Sequence, residues 1–357
     1  MIVRYEVFDE DYIPDEILFR DSQMNRIAFC LKPAEHGSRP VNMLCLGPPA
    51  TGKTTVMRYM VTHAMESLKG IYVNCQIHQT KQQIFFKIFE NLYGYVPPPG
   101  ISFQKLYSSI LKKGVERGEI LFVVLDDINL LPEKLMNEVI YLLLKGHEEL
   151  MGFKVGISCI STDSKISAQF DSKIVSVFHP EEILFPVYDL EEMYEILKKR
   201  AETGIIGGKV AEDALYLIAE KSFEYLDLRF GINLLKTSVM AADRKGKDVV
   251  AVEDVEEVIE DSRSVFFRKM ISALSGDEID VLLHIYTSES RFTGDIYREM
   301  KTKMGYTKFF KILRKLEDLR LIDTAVRYEK GLRRYVVRRF KSDDVIRAVD
   351  EYAKRSL

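Results

Sequence analysis

One octapeptide limits the fold of this chain more than any other: Gly47, Pro48, Pro49, Ala50, Thr51, Gly52, Lys53 and Thr54. It fits G-x-x-x-x-G-K-[ST] at every fixed position, with Thr55 directly behind it. Val41–Leu46 before it is an apolar run short enough for a buried strand. After it, Val56, Met60, Val61 and Ala64 recur at helical spacing. The segment therefore predicts strand, phosphate-wrapping loop and helix. Its glycines and the helix N-terminus cradle an anion. Lys53 would reach the β- and γ-phosphates of ATP, or the β-phosphate of ADP, and the Thr54 hydroxyl would ligate Mg²⁺.

A P-loop ATPase also needs acids near the phosphates. Ile120–Leu125 is continuously apolar and runs into Asp126-Asp127, which puts two carboxylates at the C-terminal edge of a sheet. Asp126 is placed to hold Mg²⁺ and Asp127 to orient the attacking water. Further strands are predicted at Gly70–Cys75, Lys154–Ile160 and Ile183–Pro186, with helices at Lys81–Tyr93, Phe103–Glu116 and Glu133–Leu150. Such alternation predicts an α/β fold, a parallel sheet covered by helices on both faces.

From Tyr188 the strand pattern stops, and Asp189–Thr203, Ala211–Phe223, Arg229–Asp243 and Val252–Asp261 read as helices. Three more helices begin near Ser275, Thr293 and Tyr306, followed by strands Leu321–Arg327 and Arg333–Phe340. Three helices and a hairpin make a winged helix. The division expected is 1–186 nucleotide-binding core, 187–262 helical lid and 263–357 winged-helix domain.

Charge supports that last assignment. The chain carries a net −3, yet residues 291–340 carry +9 by themselves. In the third helix Phe309, Ile312, Leu313 and Leu316 form the buried stripe, leaving Lys308, Lys311, Arg314 and Lys315 on the open arc. The wing adds Arg327, Lys330, Arg333 and Arg334. Such a surface suits DNA grooves and phosphates. No apolar run approaches the ~20 residues of a membrane span. That predicts no membrane partner, and four scattered cysteines predict buried free thiols in a reducing cytoplasm.

The order of P-loop, LDD strand end, helical lid and winged helix resembles the archaeal AAA+ replication initiators, relatives of the eukaryotic origin-recognition complex and its cell-division-control helicase-loading partner. DYIPDEILFRDSQ at 11–23 looks like that family's N-terminal box, IYVNCQIHQT at 71–80 its second strand, and FPVYDLEEMYEILKKRAE at 185–202 the start of its lid. The resemblance implies an AAA+ ATPase core, ATP/ADP with Mg²⁺, and double-stranded origin DNA bound in the nucleoid. It implies recruitment of the MCM replicative helicase and cooperation with other initiator paralogues. It places Tyr12, Ile13 and Arg20 near the adenine and Arg229 against the γ-phosphate. Thr162 falls at the sensor-1 position, Lys173 in the arginine-finger region, and 78–96, with Lys81 and Lys87, in an extra DNA-contacting element. Three departures point to slow hydrolysis. Asp127 stands for glutamate, Thr162 for asparagine and Lys173 for arginine, whose bidentate fork lysine cannot copy. The alternative is a nucleotide-binding, DNA-binding regulator with no loading activity.

Overall fold

The computed structural model describes residues 1–63, 68–328 and 332–355. They form two compact units, Met1–Lys209 with Leu215–Ile232, and Val210–Ala214 with Asn233–Leu357.

The first unit is built on a parallel sheet of β1 (Met43–Leu46), β2 (Leu68–Asn74), β3 (Ile120–Asp126), β4 (Val155–Ser161) and β5 (Glu181–Leu184), in the order β2-β3-β4-β1-β5. Strand pleating separates its two cores. Ile120, Phe122 and Val124 pack with Ile27 and Leu31 of α1 (Asp21–Leu31) and with Val56 and Met57 of α2 (Lys53–Thr62). Leu121, Val123 and Leu125 face the other way. They meet α3 (Lys81–Tyr93), α4 (Phe103–Glu116) and α5 (Glu133–Leu144) through Phe85, Ile110 and Ile140. A strand buried on both faces has no polar side to alternate, which is why β3 reads as an unbroken apolar run. The four cysteines are buried free thiols.

The helix expected over Glu133–Leu150 ends at Leu144 and resumes as the short α6 (Gly146–Glu149). A Cβ at Gly146 would lie 2.8 Å from the Phe153 ring and from Leu111, so the chain passes close to both there. The short α7 (Ser172–Val175) precedes β5. Then α8 (Leu190–Gly204) opens on a capping box between Asp189 and Glu192. The next helices are α9 (Glu212–Tyr225), α10 (Leu228–Arg244) and α11 (Val252–Ile271). The last outruns its expected end at Asp261 by ten residues, because neither glycine nor proline interrupts 252–271.

In the second unit α12 (Gly276–Thr287), α13 (Thr293–Met300) and α14 (Tyr306–Asp318) precede the antiparallel pair β6 (Ile322–Tyr328) and β7 (Leu332–Arg338). This is the helix–helix–helix–hairpin order of a winged helix. Lys330 and Gly331 lie outside the described residues. A helix absent from the sequence reading closes the chain, α15 (Ser342–Arg355). It packs on α11 and α12, with Val345, Ala348 and Val349 buried. Arg263 is 3.0 Å from Asp344, and the Ser264 hydroxyl donates to Glu351 at 2.7 Å. Val345→Ala should therefore cost about 2 kcal/mol, read as a lowered urea midpoint with unchanged slope. A shift near zero would mean α15 contributes nothing to the unit.

Candidate functional site

The C-terminal ends of β1, β3 and β4 carry the P-loop, the acid pair and Thr162. In the P-loop, Ala50 and Gly52 both take left-handed backbone, at φ 58 and 86. A Cβ on Gly52 would sit 2.6 Å from the Tyr188 hydroxyl, and one on Gly47 would sit 2.3 Å from the Phe185 carbonyl oxygen, so neither position admits a side chain. Lys53, 6% exposed, donates from Nζ to the carbonyls of Gly47 at 2.7 Å and Pro48 at 2.6 Å. Since α2 starts at Lys53, its first-turn N–H groups have no intrahelical acceptor and carry the positive end of the helix dipole. Compact glycines, a buried ammonium and open N–H groups suit a nucleotide's phosphates.

The Thr54 hydroxyl donates to Asp126 Oδ2 at 2.7 Å. Tyr72 on β2 donates its phenol to the same oxygen at 2.6 Å, while Asp126 Oδ1 accepts the Asp127 N–H at 3.0 Å. Burial, then the Asp126 charge, pushes the Tyr72 phenol far above its usual range. A hydroxyl and a carboxylate at this spacing are hard oxygen donors that suit Mg²⁺. Asp127 takes left-handed backbone (φ 54, ψ 41) where the strand ends. Burial and the Asp126 charge raise its pKa, and Lys53 and Arg229 pull it partly back. Arg229, in the first turn of α10, lies 3.4 Å from Asp227. Burial works against its charge, but Asp227, Glu10 and Asp127 outweigh that and raise its pKa. Thr162 is bonded to Asn129 on both backbone and side chain. Lys173 is exposed on α7.

Arg20 is 2% exposed and reaches three carbonyls: Thr51 at 3.0 Å, Phe19 at 2.7 Å and Pro186 at 2.7 Å. Its guanidinium stacks 3.7 Å from the centre of the Tyr188 ring. Tyr12 is half-buried under Arg200, 4.6 Å from its ring centre, and Ile13 is half-buried.

In the second unit, several of the expected DNA-contacting side chains are held by acids. Lys308 pairs with Asp277, Lys315 with Glu278 at 2.6 Å, and Arg333 with Asp295 at 2.9 Å. Arg333 also stacks 3.9 Å from the Phe292 ring centre. Lys311, Arg314 and Arg334 are exposed.

Residues 37–155 match the AAA domain family, and 194–260 match the Cdc6 AAA+ ATPase-type lid domain. The Archaeoglobus fulgidus ORC1-type DNA replication protein 2 is 39% identical over 350 residues, covering 96% of this chain and 92% of the relative. The chain belongs to the ORC1-type DNA replication proteins. A solved structure of the Aeropyrum pernix ORC2 protein with ADPNP and ADP superposes with a TM-score of 0.74 at 21% identity, covering all of both chains. The Aeropyrum pernix ORC1 protein in complex with DNA superposes with a TM-score of 0.69 at 24% identity, over 100% of this chain and 99% of the other. At these identities the superpositions establish the fold.

In this ORC1-type protein, Lys53, Thr54, Asp126, Asp127 and Arg229 come into one neighbourhood. Arg20 is packed behind the P-loop, where its donors are taken up by backbone carbonyls. Tyr72, Asn129, Tyr188 and Arg200 were missed by the sequence reading. Only Tyr72 left a signal, a polar-tipped side chain set between the apolar Ile71 and Val73 near the end of a strand. The raised Asp127 pKa has a consequence for stability. A carboxyl whose pKa rises on folding weakens the native state as pH climbs past its unfolded value, about 3.9. Asp127→Asn removes that penalty and also suits left-handed backbone. The variant should melt at a higher temperature than the parent, with a gain larger at pH 7.5 than at pH 4. An equal gain at both would show that Asp127 ionises at no cost.

Proposed function

We propose that this protein is an ATP-binding replication initiator. It holds double-stranded origin DNA through its winged helix, helps recruit the MCM replicative helicase, and uses ATP and ADP as a conformational switch with slow hydrolysis. The observation that carries the nucleotide half is the Thr54–Asp126 hydrogen bond, which ties the P-loop helix to the acid-bearing strand on a chain of the ORC1 type. Lys53 leaves its loop carbonyls for the β- and γ-phosphates. Thr54 and Asp126 hold Mg²⁺, which supplies charge neutralisation on the phosphates. Asp127 orients water, with a reach one methylene shorter than glutamate's. The Aeropyrum pernix ORC2 protein with ADPNP and ADP supports the cofactor assignment.

The basic face of α14 and β7 supports the DNA half, as does the DNA complex of the Aeropyrum pernix ORC1 protein. Lys311 and Arg314 present to a major groove, and Arg334 to the backbone or minor groove. Lys308, Lys315 and Arg333 exchange their acids for phosphate. Family membership supports recruitment of the helicase and cooperation with initiator paralogues. Retention of purified MCM on immobilised origin DNA, with and without this protein, tests the recruitment.

Two measurements check the core of the proposal. Lys53→Ala should lose most ATP and ADP affinity by calorimetry while staying folded, with the far-UV circular dichroism of the parent; unchanged binding would refute the P-loop assignment. Lys311→Ala with Arg334→Ala should weaken binding to every duplex and reduce the salt slope by roughly one to two. If fluorescence anisotropy over a salt series gives the parent slope, DNA is held elsewhere.

A further inference from the structure

Thr162 follows β4 directly, and β4 lies between β3, which ends in Asp126, and β1, which feeds the P-loop. Its hydroxyl has a single proton to give. Where that proton points is set by Asn129, three residues past Asp126 in the turn Ile128–Leu130. The Thr162 backbone N–H donates to Asn129 Oδ1 at 3.3 Å, and Asn129 Nδ2 donates to Thr162 Oγ1 at 3.2 Å. The pair has only one consistent orientation. A backbone N–H can only donate, so the amide must turn its oxygen to it. That leaves the amide nitrogen, also only a donor, facing the hydroxyl oxygen. Thr162 Oγ1 therefore accepts from Asn129, and its own proton is turned elsewhere.

We propose that Asn129 is a positioning residue that reserves the Thr162 hydroxyl proton for the terminal phosphate of a bound nucleoside triphosphate. A threonine in the sensor position then acts as a fixed donor, where a freely rotating hydroxyl would spend its proton on nearby carbonyls. The two residues together distinguish triphosphate from diphosphate. This rests on the P-loop reading above.

Asn129→Asp tests the orientation with almost no change of shape. One carboxylate oxygen still accepts the Thr162 N–H, but the other accepts the hydroxyl proton and reverses the bond. The ratio of ATP to ADP affinity, measured by calorimetry on the full chain, should fall roughly 10- to 100-fold, with ADP affinity and melting temperature near the parent's. Thr162→Val should lower the ratio by a similar factor. A new carboxylate could also repel the phosphate directly, so the decisive protein is the double variant. If Asn129 acts through the hydroxyl, Asn129→Asp has no further effect in the Thr162→Val background. The proposal is overturned if the two losses multiply, if either single variant keeps the parent ratio, or if the parent itself binds ATP and ADP alike. ADP binding by the parent, and its loss in Lys53→Ala, checks the P-loop reading separately.

Discussion

The contact between the Thr54 hydroxyl and Asp126, at 2.7 Å, joins the start of α2 to the end of β3. Neither element could be placed so accurately alone. Asp126 is 1% exposed, and a buried carboxylate is tolerated only where hydrogen bonds replace its water. Three do so here, from Thr54, Tyr72 and the Asp127 backbone. The same donors hold both carboxylate oxygens in a fixed plane. Asp127 next to it carries the opposite character. Its left-handed backbone and raised pKa are unfavourable to stability, as is common where geometry serves chemistry.

Arg20 shows a second use of buried charge. No carboxylate bonds to it; three backbone carbonyls and the face of Tyr188 do. Burial lowers its pKa, though not far enough to threaten a guanidinium's charge. Phe19 before it sits at φ 58, a conformation that costs an L-residue roughly 1–2 kcal/mol. That strain accompanies a side chain which joins the N-terminal segment, the P-loop and the start of the lid.

Most of the architecture was legible because it follows from periodicity and local chemistry. The P-loop fixes strand, turn and helix in order. Thr80 and Ser102 cap α3 and α4, whose ends agree with the sequence reading at both termini. Several of the failures come from packing that no local pattern reports. The helix expected through Leu150 stops at Leu144 and resumes at Gly146, where a Cβ would meet Phe153 and Leu111. The ion pairs of Lys308, Lys315 and Arg333 join helix starts to residues 31 to 38 positions away. No sequence spacing reports them. Asn129 was passed over for the same reason, since its partner is 33 residues distant.

β5 has a place in the sheet that bears on how the P-loop is joined to α8. It pairs with β1, the strand feeding the P-loop, and then leads through Pro186 and Tyr188 into α8. Arg20 grips both ends of that short path, at the Thr51 and Pro186 carbonyls. α8 has 15 residues, so it is a rod about 22 Å long at 1.5 Å per residue. The far end of that rod is tied in turn to the first residues of the chain, where the Val3 N–H donates to the Gly204 carbonyl at 2.9 Å, so α8 is held at both ends.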